Sequence, residues 1–200
     1  MIKALRSGLS KNPFGKCNRS LWQWIEDSFN VQVYDDDRIK EIGPNMACAE
    51  WLMKNGAQVR WKGCKEFVSH YDCLPHTQCG FLEQFKIEQV YAGREASISH
   101  VGFRHFQDCT EISDVSFVQC NTITNEALNE LLILRSNLKR LEIDGCVNVT
   151  REGILKLQHL HSLKLLELKN LRINNDSELI YSLENKMPNC EIHYASKSHE

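Results

Sequence analysis

The sequence contains no apolar run near the ~18–20 residues that a helix needs to cross a bilayer, which excludes a helical membrane protein. It has no excess of positive charge. Its 24 Lys and Arg stand against 26 Asp and Glu for a net charge of −2, whereas a general nucleic-acid binder carries a clear basic surplus. A glycine-rich phosphate loop of the Walker type, a serine elbow and a helical His-Glu-x-x-His are all missing, so no catalytic set is expected. Nor are there paired short cysteine spacings or a secretory signal with a long apolar core, which argues against a compact disulfide framework.

What is present suits a packed domain. Two hundred residues, 42% hydrophobic and 25% charged, make one domain or a domain with an appendage, neither disordered nor collagen-like. Nine cysteines stand at 17, 48, 64, 73, 79, 109, 120, 146 and 190. They read as reduced thiols, several packed inside as small hydrophobes, in a reducing compartment such as the cytosol or an organelle matrix.

The amino end carries Lys3, Arg6, Lys11, Lys16 and Arg19, and no acid precedes Glu26. Ile2, Leu5 and Leu9 fall on one helical face, Ser7, Ser10 and Ser20 lie among them, and Pro13 and Gly15 would stop a helix. This composition is that of a mitochondrial presequence over residues 1–20; the plainer reading is a basic tail.

Beyond it, Leu21, Trp22, Trp24, Ile25 and Phe29 form a helical stripe. Asp35, Asp36 and Asp37 precede a short helical segment ending at Gly43, and acids there complement the backbone dipole rather than build a metal site. Pro44 to Asn55 reads as a helix stopped by Asn55-Gly56. Alternation over Ala57, Val59 and Trp61 reads as a strand. Cys64, His70, Cys73, His76 and Cys79 cluster, but their irregular spacing lacks the two close pairs of a structural zinc site, and zinc is not expected.

The second half repeats. Val115–Cys120 leads into Ile123-Thr124 and Leu128, and Leu141–Cys146 leads into Val149-Thr150 and Ile154. Leu166–Leu171 then leads into Leu179 and Leu183. Counting back from Cys120 reaches Gly93, so the core positions are matched as Val90, Phe117, Ile143 and Leu168. Spacings in the mid-twenties belong to leucine-rich repeats, whose units run roughly 20–29 residues. The expected fold is α/β: a short leucine-rich-repeat solenoid of about four strand-turn-helix units with an N-terminal helical cap. The expected division is 1–20 presequence or basic tail, 21–84 capping domain, 85–194 repeat domain and 195–200 polar tail. Cys120 and Cys146 fall at equivalent turn positions and are expected inside. The opposite strand face, with Glu142, Asp144, Glu167 and Lys169, is expected to remain in solvent as a binding surface.

The stretch Ile42-Gly43-Pro44, Ala49-Glu50-Trp51-Leu52, Gly56-Ala57 and Val59-Arg60 resembles the mitochondrial ATP synthase coupling factor B family, also called subunit s. So do Tyr71, Leu74-Pro75, Lys86-Ile87, Gly102-Phe103, and Cys146 with Asn148-Val149-Thr150, a likeness covering residues 21 to 194. The resemblance implies a non-catalytic accessory protein on the matrix side of the inner mitochondrial membrane, peripheral to the membrane sector of ATP synthase and limiting proton leak there. A related branch assists assembly of the membrane arm of respiratory complex I, which is the alternative. The resemblance also implies Mg2+ held through main-chain oxygens at Gly56 and Gly93, where carbonyls at the end of the helix attract a cation. Of a cysteine pair in the second repeat only Cys120 is kept, since position 118 is valine. Cys120 is thus the thiol of interest.

Overall fold

The computed structural model describes residue 34 and residues 36–74, 82–173 and 176–195, all within one compact unit, Val31–Glu200. The expected presequence, the Leu21–Phe29 stripe, His76 and Cys79 lie outside the described residues.

Two helices open this unit. In α1 (Asp36–Ile42), Asp36 and Asp37 occupy the first turn, where carboxylates oppose the positive end of the helix dipole. Gly43 takes a positive φ of 81° and turns the chain into α2 (Pro44–Lys54), where Pro44 costs no intrahelical bond. The helix stops as its sequence dictates: Gly56 adopts φ 76°, and the N–H groups of Gly56 and Ala57 donate to Met53 and Leu52 carbonyls. The Arg38 guanidinium holds the two helices together by a two-pronged bond to the buried Glu50 carboxylate, with Nε at 3.0 Å. A buried carboxylate persists only with such a partner.

The rest is a six-stranded mixed sheet in chain order: β1 (Gln58–Trp61), β2 (Ile87–Ala92), β3 (Asp114–Val118), β4 (Arg140–Asp144), β5 (Leu165–Lys169) and β6 (Glu191–Ala195). β1 is antiparallel to β2, and every later pair is parallel. Parallel neighbours require crossovers, and these pass through a 3-10 helix at His100–Phe106, then α3 (Asn125–Glu130), α4 (Arg151–Lys156) and α5 (Asp176–Lys186). The crossover segments pack side by side in chain order.

Two inward rows run across the parallel strands. Val90, Val115, Leu141, Leu166 and Ile192 form one, and Ala92, Phe117, Ile143, Leu168 and Tyr194 the other. The expected equivalence of Val90 with Phe117 is therefore corrected: Val90 pairs with Val115, and Phe117 with Ala92. A two-residue slip keeps every apolar side chain on its face, so alternation alone does not distinguish the two registers. The helical segment joins this core through Asn45, whose buried side-chain oxygen accepts the Ile87 N–H at 3.0 Å, and through Trp51.

Candidate functional site

The outer face of the parallel strands carries its own rows, and the central one reads Tyr91, Ser116, Glu142, Glu167, His193. Glu142 and Glu167 are direct neighbours, a repulsive placement unless cations intervene. They do. Lys169 Nζ lies 2.9 Å from Glu142 Oε1 and 2.9 Å from Glu167 Oε1, while Arg140 Nε donates to Glu167 Oε2 at 2.9 Å. Ser116 Oγ adds a bond to Glu142 at 3.1 Å. Hydrogen bonds from Lys169 and then Arg140 hold the Glu167 carboxyl below the usual range. Glu142 and then Glu167 raise the lysine in turn.

The expectation that Glu142 and Glu167 stand in solvent is thus corrected. Their side chains are 17% and 12% exposed, covered by Arg140 and Lys169 at 43% and 34%. The two cations are the more exposed groups of this network. Arg140 was not among the residues singled out from the sequence, although it stands two before Glu142 and hence on the same strand face. At the β2 end of the face, Phe67 packs against Tyr91 with centroids 6.2 Å apart, and Arg60 pairs with Glu88 at 2.6 Å.

The second place of interest is the end of α2. A Cβ on Gly56 would come within 2.9 Å of the Glu95 carbonyl oxygen, and Ser97 N–H donates to the Asn55 carbonyl at 2.9 Å. The turn after β2, which begins at Gly93, therefore leans directly on the helix stop. The Gly93 carbonyl accepts the Ala96 N–H at 3.0 Å. The helix-end carbonyls expected to attract a cation are already engaged, since those of Trp51, Leu52 and Met53 each accept an N–H from Asn55, Gly56 or Ala57. Gly56 thus meets the turn after β2 through Glu95, two residues beyond Gly93. Among the described residues no three His, Cys, Asp or Glu side chains gather to hold a metal.

Cys120 is buried, with Sγ 3.5 Å from the Ala96 carbonyl and 3.4 Å from Thr122 Oγ1. Cys146, also buried, directs its thiol to the Phe117 carbonyl at 3.5 Å, and burial pushes that thiol up to about 12. A protonated thiol is a poor nucleophile. Both cysteines follow residues with positive φ, Gln119 at 55° and Gly145 at 62°, so the bend lies one residue before the thiol. Val118 lies on the outer face opposite Asp144, whereas Cys120 lies inside.

No family model matches the sequence. Curated relatives do match, over nearly their whole length. Mitochondrial ATP synthase subunit s of Bos taurus is 31% identical over 189 residues, covering 92% of this chain and 92% of the relative. The chain belongs to the ATP synthase subunit s family. The Homo sapiens and Rattus norvegicus members are 31% and 32% identical, each covering 92% of this chain. Coverage of that extent takes in helices and sheet together, so subunit s membership does not rest on a repeat pattern that many unrelated proteins share.

Proposed function

We propose that this member of the subunit s family is a non-catalytic accessory subunit of mitochondrial ATP synthase. The observation that carries this reading is the end-to-end similarity to proteins named mitochondrial ATP synthase subunit s. The protein acts from the matrix side of the inner membrane, peripheral to the membrane sector, and supports proton-coupled ATP synthesis by limiting proton leak. Among the described residues no helix is long and apolar enough to cross a membrane, which suits a peripheral place. Residues 1–20 serve as the import signal, for which the acid-free basic composition is the support.

In the same reading the strands and crossovers from β2 onward are a short leucine-rich-repeat solenoid, supported by parallel strands, in-register apolar rows and left-handed turns at Gln119, Gly145 and Asn170. Residues 21–84 form its cap. Mg2+ held by main-chain oxygens of Gly56 and Gly93 fastens cap to first repeat. Affinity purification of the tagged full chain from mitochondria, with the co-purifying complex identified, tests the role. Recovery of ATP synthase subunits is expected, and recovery of the complex I membrane arm in their place would overturn it.

A further inference from the structure

The two edges of the sheet are treated differently by the chain. At the first edge the chain folds back after β1, and Val59 and Val68 exchange both backbone bonds, at 3.0 and 2.8 Å. At the last edge β6 pairs with β5 alone among the described strands. β6 is five residues long, Glu-Ile-His-Tyr-Ala, with no proline, lysine or bulge to blunt it. Proteins usually disarm such an edge, because its free N–H and C=O groups are a template for another strand.

We infer that β6 pairs with β6 of a second copy of this chain, antiparallel, about a twofold axis at His193. This association is independent of the role proposed above.

Backbone direction selects the register. Glu191 N–H donates to the Lys164 carbonyl at 2.8 Å, and the Ala195 carbonyl accepts the Asn170 N–H at 2.9 Å. The odd-numbered residues of β6 therefore spend their backbone groups on β5, and those of Ile192 and Tyr194 point to the open edge. In an antiparallel pair, residues whose groups both point across exchange two bonds. Setting Ile192 against the partner's Tyr194, and Tyr194 against the partner's Ile192, uses every outward group of the two residues and leaves His193 opposite the partner's His193.

The side chains agree with this register. Ile192 and Tyr194 continue the two inward rows, yet they are only half buried, because no further strand covers them. Burial first, and the nearby Asp176 carboxylate second, raise the Tyr194 hydroxyl above its ordinary value. The twofold register places this aromatic beside a β-branched residue twice, a favourable cross-strand pair. On the outer face Glu191 falls opposite the partner's Ala195 and diagonal to the partner's His193, so no two carboxylates meet. Within the chain the same two residue types already meet, with His193 Nε2 at hydrogen-bond distance, 2.7 Å, from Glu191 Oε1. The surface is self-complementary, as a twofold interface must be.

Sedimentation of the full chain over a wide concentration range should show a reversible monomer–dimer equilibrium. Ile192→Pro removes an outward N–H, and proline is tolerated on an edge strand in that position. It should weaken association on the order of tenfold or more while leaving the thermal unfolding midpoint of the monomer in place. His193→Lys sets two ammonium groups face to face at a half-exposed position, and it decides the matter if the proline variant fails to fold. His193→Cys under copper-catalysed air oxidation should link to itself, identified by peptide mass spectrometry, whereas Ala195→Cys should not. A chain that sediments as a monomer at every concentration would overturn the inference. So would a dimer indifferent to both edge variants, a self-linked Ala195→Cys, or monomers whose Ile192 and Tyr194 amides resist hydrogen exchange, which would mean that another segment covers the edge.

Discussion

Glu142 and Glu167 stand side by side on adjacent parallel strands, and one ammonium group, Lys169 Nζ, bonds both carboxylates at 2.9 Å. Two like charges on neighbouring strands would push the sheet apart, so their placement depends on Lys169 and on Arg140 at the far side of Glu167. The outer face is therefore an electrostatically closed unit.

Glu167 makes stability depend on acidity. Its folded carboxyl is held below the usual range, so its contribution is complete above about pH 4.3, the unfolded value, and is lost as pH falls through the lower folded value. Glu167→Gln should flatten the acid limb of the stability profile. Thermal unfolding between neutral pH and pH 3 measures this, and an unchanged acid limb would mean that the network contributes nothing. Lys169→Met, which leaves two adjacent carboxylates sharing Arg140, should cost on the order of 1–2 kcal/mol at neutral pH.

Gly102 is required by Trp51. A Cβ there would lie 2.3 Å from the indole ring, which cannot retreat because it stacks on His105 and meets Phe103 and Phe106 edge-on. Gly102→Ala should destabilise by about 2–3 kcal/mol in denaturant titration. Combining it with Trp51→Phe should recover part of the loss, since the smaller ring leaves room.

The bend after each strand should respond in opposite senses at two equivalent positions. Gln119→Gly relieves a left-handed backbone at the cost of an exposed bond from Arg94, and should be neutral or stabilising by up to about 1 kcal/mol. Gly145→Ala imposes that same strain and brings a Cβ to 3.2 Å from Gln119 Cγ, so a loss of about 1–2 kcal/mol is expected. Chemical denaturation of both variants checks the pair.

Cys146→Asp should cost about 2–4 kcal/mol, because the new carboxylate would face the Phe117 and Asp144 carbonyls in a dry interior. Alkylation followed by mass spectrometry gives a companion test on the native chain. Among the described cysteines exposed Cys64 should react first, and buried Cys48, Cys109, Cys120 and Cys146 should be protected until unfolding.

For the proposed Mg2+ site, calorimetric titration should show weak binding, since main-chain oxygens and water carry no formal charge. Gly56→Ala should abolish it by forcing Glu95 away from the helix stop. Absence of binding heat in the unmodified chain would remove the site.

The sequence by itself determined what depends on neighbours along the chain. Pro44 and Gly56 bound a helix because of their own backbone preferences, and both ends fall where expected. Alternation decided which face of each strand is buried, and the mid-twenties spacing decided that successive strands lie in one sheet with a crossover between them. It also marked Cys120 and Cys146 as interior. Tertiary structure decided what depends on distance across the fold. The pairing of Val90 with Val115 was open to a two-residue slip that preserves every buried face, and the register adopted is the one in which Phe103 of the 3-10 crossover stacks on Phe117, a contact set across the fold. Likewise Glu142 and Glu167 each read as a solvated acid until the register sets them beside Lys169 and Arg140, because an ion pair is a property of two places in space rather than of either residue.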